Sequence, residues 1–143
     1  MNTRINYIHE RALRIVYQDY TSTFEELLLK HDAFSIHERN VQILGIELYK
    51  VINGLSPKIM SSIFSLKDSK RYPSENIFQT RNVHSVRYGT DSLAHLGPKI
   101  WSIIPNDIKE QKTLALFTKK IKKWKASLCP CRLCKLYIKG VGF

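Results

Sequence analysis

Three cysteines near the C-terminal end of the sequence are the residues best suited to bind a metal. Cys129, Cys131 and Cys134 lie within six residues, so their thiolates are close enough together for one zinc ion. A structural zinc site normally has four ligands, and His84 or His95 supplies the fourth only if the fold brings it to the tail. The alternative is a tail of free thiols, since three cysteines so close together do not form a disulfide framework. Zn²⁺ is thus the one cofactor that the sequence suggests.

Residues for acid–base or nucleophilic catalysis are present, but they lack the spacing that catalysis requires. The five histidines are scattered, and the sequence has no nucleophile–base pair, couple of carboxylates or glycine-rich phosphate loop with catalytic spacing. Each histidine is better interpreted as a surface or capping residue than as a general base. The sequence therefore predicts a chain that is not an enzyme and has no small-molecule substrate.

Cationic side chains are the third chemically useful group, and they concentrate at one end of the chain. The 23 Lys and Arg outnumber the 12 Asp and Glu, which gives a net charge of +11. Residues 1–98 contain 12 basic and 10 acidic residues, whereas residues 99–143 contain 11 basic and 2 acidic residues. A concentrated positive potential attracts polyanions through release of their counterions. RNA or DNA is therefore the predicted partner, ahead of an anionic membrane surface or a face that is merely solvated.

Two predicted helices place these cations on surfaces. In the last helix Leu114, Phe117, Ile121 and Trp124 recur at spacings of three and four, so lysines occupy the other side. In the first helix three arginines share one face. Trp124 and the other tryptophan, Trp101, lie on apolar stripes, where core packing is favoured over stacking on bases. The predicted contacts to nucleic-acid phosphates are Arg4, Arg11, Arg14, Lys119, Lys120, Lys122, Lys123, Lys125, Arg132 and Lys135.

The elements that position these residues are predicted to be amphipathic helices. The apolar positions of the first helix, which starts at residue 5 and ends near residue 20, are Ile8, Ala12, Ile15 and Val16. The segments Thr23–Glu26 and Ser35–Glu38 have the pattern of a capping box, in which two side chains satisfy free backbone N–H groups at a helix start. A third helix with a wide apolar stripe then runs to a stop at Asn53–Gly54 and is the best candidate for the centre of the core.

The second half of the chain is predicted to contain more helices around a loop. Ser56 precedes Pro57 as the cap of a fourth, short helix. Residues 65–82 are polar without a sustained period, and residues 83–88 have the pattern of a short extended segment. The next helix either begins at Pro98 or is kinked there.

We therefore predict a mainly α protein, a small bundle of five to six helices with one long central loop at about residues 65–90 and a short extended segment. Residues 1–126 are predicted to form one helical domain, and residues 127–143 a basic tail that contains the cysteines. No apolar stretch approaches the roughly 20 residues that span a bilayer, and the first residues lack the apolar core of a secretory signal. We expect an intracellular protein, in the nucleus or the cytoplasm, that is not secreted and has no membrane partner.

Several short segments, taken in their order along the chain, resemble one known family. They are RALRIVY at 11–17, FEELL at 24–28, IHERN at 36–40, LYKVINGLSP at 48–57, YGT at 88–90, LGPKIW at 96–101, IP at 104–105 and CPCRLCK at 129–135. Together they resemble the region after the catalytic palm, and the tail, of LINE-type non-LTR retrotransposon reverse transcriptases. The combination covers nearly the whole chain, although no single segment is specific.

The resemblance implies a helical thumb over residues 1–126, which in that family grips the backbone of template and primer. The polymerase of the family holds two metal ions with paired aspartates, and this sequence has no adjacent aspartates. The family's cysteine–histidine tails also use other spacings than the one found here. The resemblance thus implies a non-catalytic remnant of an RNA-directed DNA polymerase that binds nucleic-acid backbone nonspecifically through its basic C-terminal helix. The alternative is an idle folded remnant, or a protein-interaction scaffold with exposed apolar surface and no nucleic-acid affinity.

Overall fold

The computed structural model describes residues 2–67, 77–79, 82–84, 89 and 92–125. This part of the chain is mainly helical, which confirms the predicted helical bundle. Its seven helices are α1 (Asn2–Tyr17), α2 (Phe24–Lys30), α3 (Ile36–Ile52), α4 (Lys58–Ile63), α5 (Leu93–Ile103), α6 (Asn106–Lys109) and α7 (Leu114–Ile121). The sequence pattern missed α6 because a helix of four residues is too short to show a period. Most of the predicted extended segment at residues 83–88 lies outside the described residues.

The chain divides into two compact units, and the division falls inside α3. The first unit ends at Asn40 and the second begins at Val41. The single helical domain predicted for residues 1–126 therefore contains two units, and the predicted tail at residues 127–143 lies outside the described residues.

The starts of α2 and α3 follow the predicted capping chemistry. The Thr23 hydroxyl accepts a hydrogen bond from the Glu26 backbone N–H at 3.3 Å, and the Glu26 carboxylate accepts one from the Thr23 N–H at 2.8 Å. Ser35 and Glu38 exchange the same two bonds, at 3.2 and 2.8 Å. Both capping boxes are confirmed, and each fixes the residue at which its helix begins.

The end of α3 at Asn53–Gly54 is also confirmed. Gly54 has a φ of +67°, a left-handed conformation that an L side chain disfavours. Its N–H donates to the Val51 carbonyl, and the Leu55 N–H donates to the Lys50 carbonyl at 2.8 Å. These two bonds form a Schellman motif, which satisfies carbonyl groups that the end of a helix leaves without partners.

Three local predictions are corrected by the structure. Pro57 occupies the N-cap position of α4, so the Ser56 hydroxyl lies one residue too early and no side chain caps this helix. Of the two alternatives for Pro98, a helix start at this residue is wrong, because α5 begins at Leu93 and contains Pro98 in its interior, where the proline removes one backbone hydrogen bond. The last helix ends at Ile121, and a turn rather than a further helical turn carries the chain to Trp124.

Aromatic rings form the core of the second unit. Phe117 stacks on Tyr49 with ring centroids 4.2 Å apart and on Trp101 at 6.1 Å. Trp101 meets Phe78 edge to face at 5.9 Å, and Phe78 meets Phe64 in the same way at 6.1 Å. All five side chains are at least 96% buried, since none is more than 4% exposed. Such offset and edge-to-face pairs add stability to the burial of apolar area.

Phe78 belongs to the segment that the sequence pattern assigned to a polar loop. The Lys67 N–H donates to the Ile77 carbonyl, and the Gln79 N–H donates to the Ser65 carbonyl, both at 2.8 Å. These bonds form the isolated antiparallel bridge between Leu66 and Phe78. Residues 68–76, 80 and 81 lie outside the described part of the chain. A single buried phenylalanine has no periodicity, which explains why its contribution to the core was not predicted.

A glycine in α3 lets α7 approach closely. A Cβ atom at Gly45 would overlap the side chain of Ile121 and would lie 3.1 Å from Ile104 Cδ1. Glycine at this position thus leaves room for the Ile121 side chain of the helix that carries the predicted binding residues.

In the first unit, the junction between α1 and α2 is organised by one buried carboxylate. Asp19 accepts hydrogen bonds from Lys30 Nζ at 2.7 Å, from the Ser22 hydroxyl at 2.8 Å and from the Ser22 N–H at 3.1 Å. The Lys30 ammonium and the Ser22 donors hold the pKa of the Asp19 carboxyl well below its ordinary value. Asp19 therefore fixes the loop after α1 to the last turn of α2.

Candidate nucleic-acid interface

The predicted cationic side of the last helix is present in the structure. Thr113 caps α7, because its hydroxyl accepts a hydrogen bond from the Leu116 N–H at 3.3 Å. Phe117 and Ile121 are fully buried on one side of the helix. Four exposed lysines lie on the other side or just past its end, and we define them as the lysine surface: Lys119, Lys120, Lys122 and Lys123.

The two tryptophans pack in the core, as predicted. Trp101 is 2% exposed, and the half-buried Trp124 packs against the core of the second unit. Neither ring is presented on the surface as a platform on which a base could stack.

A buried glutamine holds the end of α7 that carries the lysine surface. The last carbonyl groups of a helix have no partner within the helix. Gln42 of α3 is 3% exposed, and its amide donates to the Trp124 carbonyl at 2.8 Å and to the Lys122 carbonyl at 3.4 Å. Gln42 was not among the predicted functional residues, although buried polar side chains commonly form hydrogen bonds to backbone groups.

The electrostatic surroundings of the lysine surface contain few negative charges. The described residues of the second unit include 11 lysines and only three carboxylates. One of the three, Glu47, is already paired with Lys50 at 2.7 Å. Within the described residues Lys119, Lys122 and Lys123 make no ion pair, and Lys120 donates to the Asp107 backbone carbonyl at 3.2 Å.

The lysines also have a structural role. Cations near the C-terminal end of a helix interact favourably with its dipole, each by about 0.3–1 kcal/mol at an exposed site. Lys119 and Lys120 lie in the last turn of α7 and Lys122 follows it. The alternative to a binding surface is therefore a solvated set of lysines that only stabilises the helix, and experiments have to distinguish the two roles.

Two of the three predicted arginines of α1 are exposed, and the third is engaged in an ion pair. Arg4 and Arg11 are exposed, and the Arg11 guanidinium lies 5.6 Å from the centroid of the Tyr7 ring. Arg14 is half-buried and donates two hydrogen bonds to Glu10, the shorter at 2.7 Å. The described residues of the first unit carry five basic and six acidic side chains, so this unit has no excess of positive charge.

The apolar side of α1 is exposed. We define the α1 stripe by the apolar residues that the sequence places on this side of the helix: Ile5, Ile8, Ala12, Ile15 and Val16. Ile8, Ile15 and Val16 are each 65–69% exposed. The inward side of the helix instead carries half-buried residues such as His9, whose ring meets Phe24 edge to face at 5.8 Å. Amphipathic spacing thus predicted the helix correctly but does not identify which side packs.

Most of the remaining predicted site residues lie outside the described part of the chain. Arg132, Lys135, Cys129, Cys131 and Cys134 lie outside it. His84 is exposed, His95 is buried in α5 and Lys125 is half-buried. The described residues contain no group of three or more His, Cys, Asp or Glu that could hold a metal ion. The zinc site therefore stays a prediction.

The structure contains a cleft that the sequence analysis did not predict. It has a volume of about 330 Å³ and lies beside the aromatic core of the second unit. Its lining includes Tyr49 and Asn53 from the end of α3, Trp101 from α5, and Asn106 and Lys109 from α6. These residues are separated by up to 60 positions in the sequence, so only the packing of the helices brings them together.

Comparisons of the chain with protein-family models, with curated proteins and with solved structures find no match. None of the described helices is both long and apolar enough to cross a membrane.

Proposed function

We propose that the chain binds the backbone of RNA or DNA nonspecifically, through the lysine surface, and has no catalytic activity of its own. The observation that carries this proposal is the exposure of four lysines around one helix end, none of which forms an ion pair among the described residues. Ammonium groups that are not neutralised internally are available to replace the counterions of a polyphosphate.

The buried side of α7 supports the same proposal. Phe117 and Ile121 fix the helix in the core, and Gln42 fixes the carbonyl groups at its end. The lysines therefore project from a scaffold whose position is set by packing. Lysine contacts of this kind position a backbone without reading its sequence, so we expect little discrimination between sequences.

The proposal also includes the origin of the chain. We propose that it is a remnant of a LINE-type reverse transcriptase, with the thumb-like part retained, because the quoted segments occur in the family's order and adjacent aspartates are absent. A polymerase assay with a primed template is expected to give no extension by the purified chain. Extension that survives repeated purification would contradict this part of the proposal.

A titration at several salt concentrations tests the binding itself. Four phosphate contacts predict a slope of log K against log salt of about −3 to −4, depending on whether the nucleic acid is single- or double-stranded. The association constant for a labelled oligonucleotide should therefore fall by about 50- to 150-fold between 50 and 200 mM salt. Fluorescence anisotropy measures this constant directly. Absence of binding at low salt, or binding that does not depend on salt, would refute the proposal.

A second candidate function is supported by the exposed α1 stripe. Contiguous apolar residues on a surface are typical of protein–protein contacts. Under this candidate the chain is an interaction scaffold with little affinity for nucleic acid, and the stripe buries itself against a second copy when no other partner is present.

Sedimentation at increasing protein concentration distinguishes the two candidates. The scaffold function predicts self-association that the double variant Ile8→Ser and Ile15→Ser abolishes. Leu29→Ser is the matched control, because Leu29 is 75% exposed on α2 and does not belong to the stripe. A chain that stays monomeric at all concentrations and binds RNA would eliminate the scaffold function.

A further inference from the structure

The cleft described above lies next to the lysine surface. Helix α6 forms one wall of the cleft through Asn106 and Lys109. The carbonyl group of Asp107, between these two residues, accepts a hydrogen bond from Lys120 Nζ at 3.2 Å. A strand whose phosphates contact the lysine surface therefore passes close to the cleft.

The cleft presents polar groups that have unused hydrogen-bonding capacity among the described residues. The Asn106 side chain makes no hydrogen bond to any of them, and Asn53 uses only its amide nitrogen, which donates to the Tyr49 carbonyl at 2.8 Å. A ligand with both acceptor and donor atoms would satisfy these groups.

The chemistry of the lining favours a nucleobase over a phosphate. Lys109 and Glu110 both line the cleft, so its charge is balanced and an anion gains little there. The rings of Tyr49 and Trp101 each stack on Phe117, and the Lys109 ammonium lies 5.8 Å from the centroid of the Trp101 ring, so these contacts limit stacking of a ligand on either ring. Side-chain amides pair with the donor and acceptor pattern on the edge of a base. A volume of about 330 Å³ is within the range of small-ligand pockets.

We propose that this cleft receives one unpaired base of a single-stranded nucleic acid whose backbone lies on the lysine surface. The inference rests on the proposed function and narrows its ligand to single strands. Bases in a duplex have their pairing edges occupied, whereas an unpaired base can turn out of the strand and present that edge to the protein.

The test compares a short labelled oligouridylate with an abasic oligonucleotide of the same length and phosphate number. Anisotropy is expected to show about tenfold tighter binding of the oligouridylate, the effect of one or two hydrogen bonds to a base. Asn106→Ala should abolish this preference, so that the variant binds the two oligonucleotides with about equal affinity. This variant is mild for the fold, because Asn106 is exposed and does not cap α6. Asn40→Ala, which removes an exposed amide in the first unit, is the matched control and should keep the preference.

A fluorescence measurement locates the base. The chain has two tryptophans, so Trp124→Phe leaves Trp101 as the sole tryptophan, whose fluorescence is excited selectively at wavelengths that tyrosine does not absorb, and retains an aromatic ring at position 124. The oligouridylate is expected to change Trp101 emission, and the abasic strand is not.

The outcomes separate this inference from the function on which it rests. Equal, salt-dependent binding of the two strands would refute the cleft as a base site and would leave backbone binding intact. A base preference that persists in Asn106→Ala would place base recognition elsewhere and would also refute the inference. If neither strand binds at low salt, the proposed function itself fails, and the inference fails with it.

Discussion

Replacement of Phe117 by alanine is expected to lower the free energy of unfolding of the second unit by about 3–5 kcal/mol. Phe117 is fully buried and stacks on both Tyr49 and Trp101, so replacement by alanine removes both ring contacts and leaves a cavity beside the two rings. A loss of this size is a large part of the roughly 5–15 kcal/mol that stabilises an ordinary domain. Urea unfolding followed by circular dichroism measures it.

The matched control for Phe117→Ala is Leu116→Ala, one residue earlier on α7. Leu116 is 50% exposed, so its truncation removes far less buried area and is expected to cost below about 1 kcal/mol. If both variants lose the same stability, the buried side of α7 is not where the structure places it.

Neutralisation of three lysines is expected to weaken nucleic-acid binding by about 10²-fold at 100 mM salt. The variant replaces Lys119, Lys122 and Lys123 by glutamine and keeps Lys120, which also bonds the Asp107 carbonyl. Three lost phosphate contacts reduce the salt slope by about 2 to 3 units, and the loss of affinity follows from that slope. Anisotropy at several salt concentrations gives both quantities.

The control for the lysine variant has the same change in net charge at another place. Lys58, Lys67 and Lys99 are exposed and lie outside α7, so their replacement by glutamine should leave most of the affinity. Equal losses in the two variants would mean that only net charge matters and that the lysine surface is no defined site. Thermal unfolding of both variants checks that the loss of affinity is not a loss of fold.

Local signals in the sequence predicted most of the helices correctly. The capping boxes at Thr23 and Ser35 and the stop at Gly54 involve side chains and backbone within a few residues of one another, so their outcome depends little on the rest of the chain. Periodicity likewise predicted the buried side of α7, because Phe117 and Ile121 recur at a spacing of four residues while Lys119 and Lys120 lie off that side.

Features that depend on distant contacts were not predictable in the same way. Phe78 and Gln42 take their roles from partners far away in the sequence, and no pattern around them indicates it. In the α1 stripe, sequence spacing predicts burial that the structure does not show. Its spacing is that of a packed helix face, but Ile8 and Ile15 are exposed. The cleft at Trp101 is likewise formed only by the packing of α3, α5 and α6.

The hydrogen bonds from Gln42 to the chain at the end of α7 make the lysine surface dependent on the folding of a distant part of the chain. An isolated helix of eight residues is unstable in water, and the shorter of the two bonds joins positions 82 residues apart. The order of α7, and with it the arrangement of the lysine surface, therefore depends on tertiary contact with α3 and is lost when the second unit unfolds.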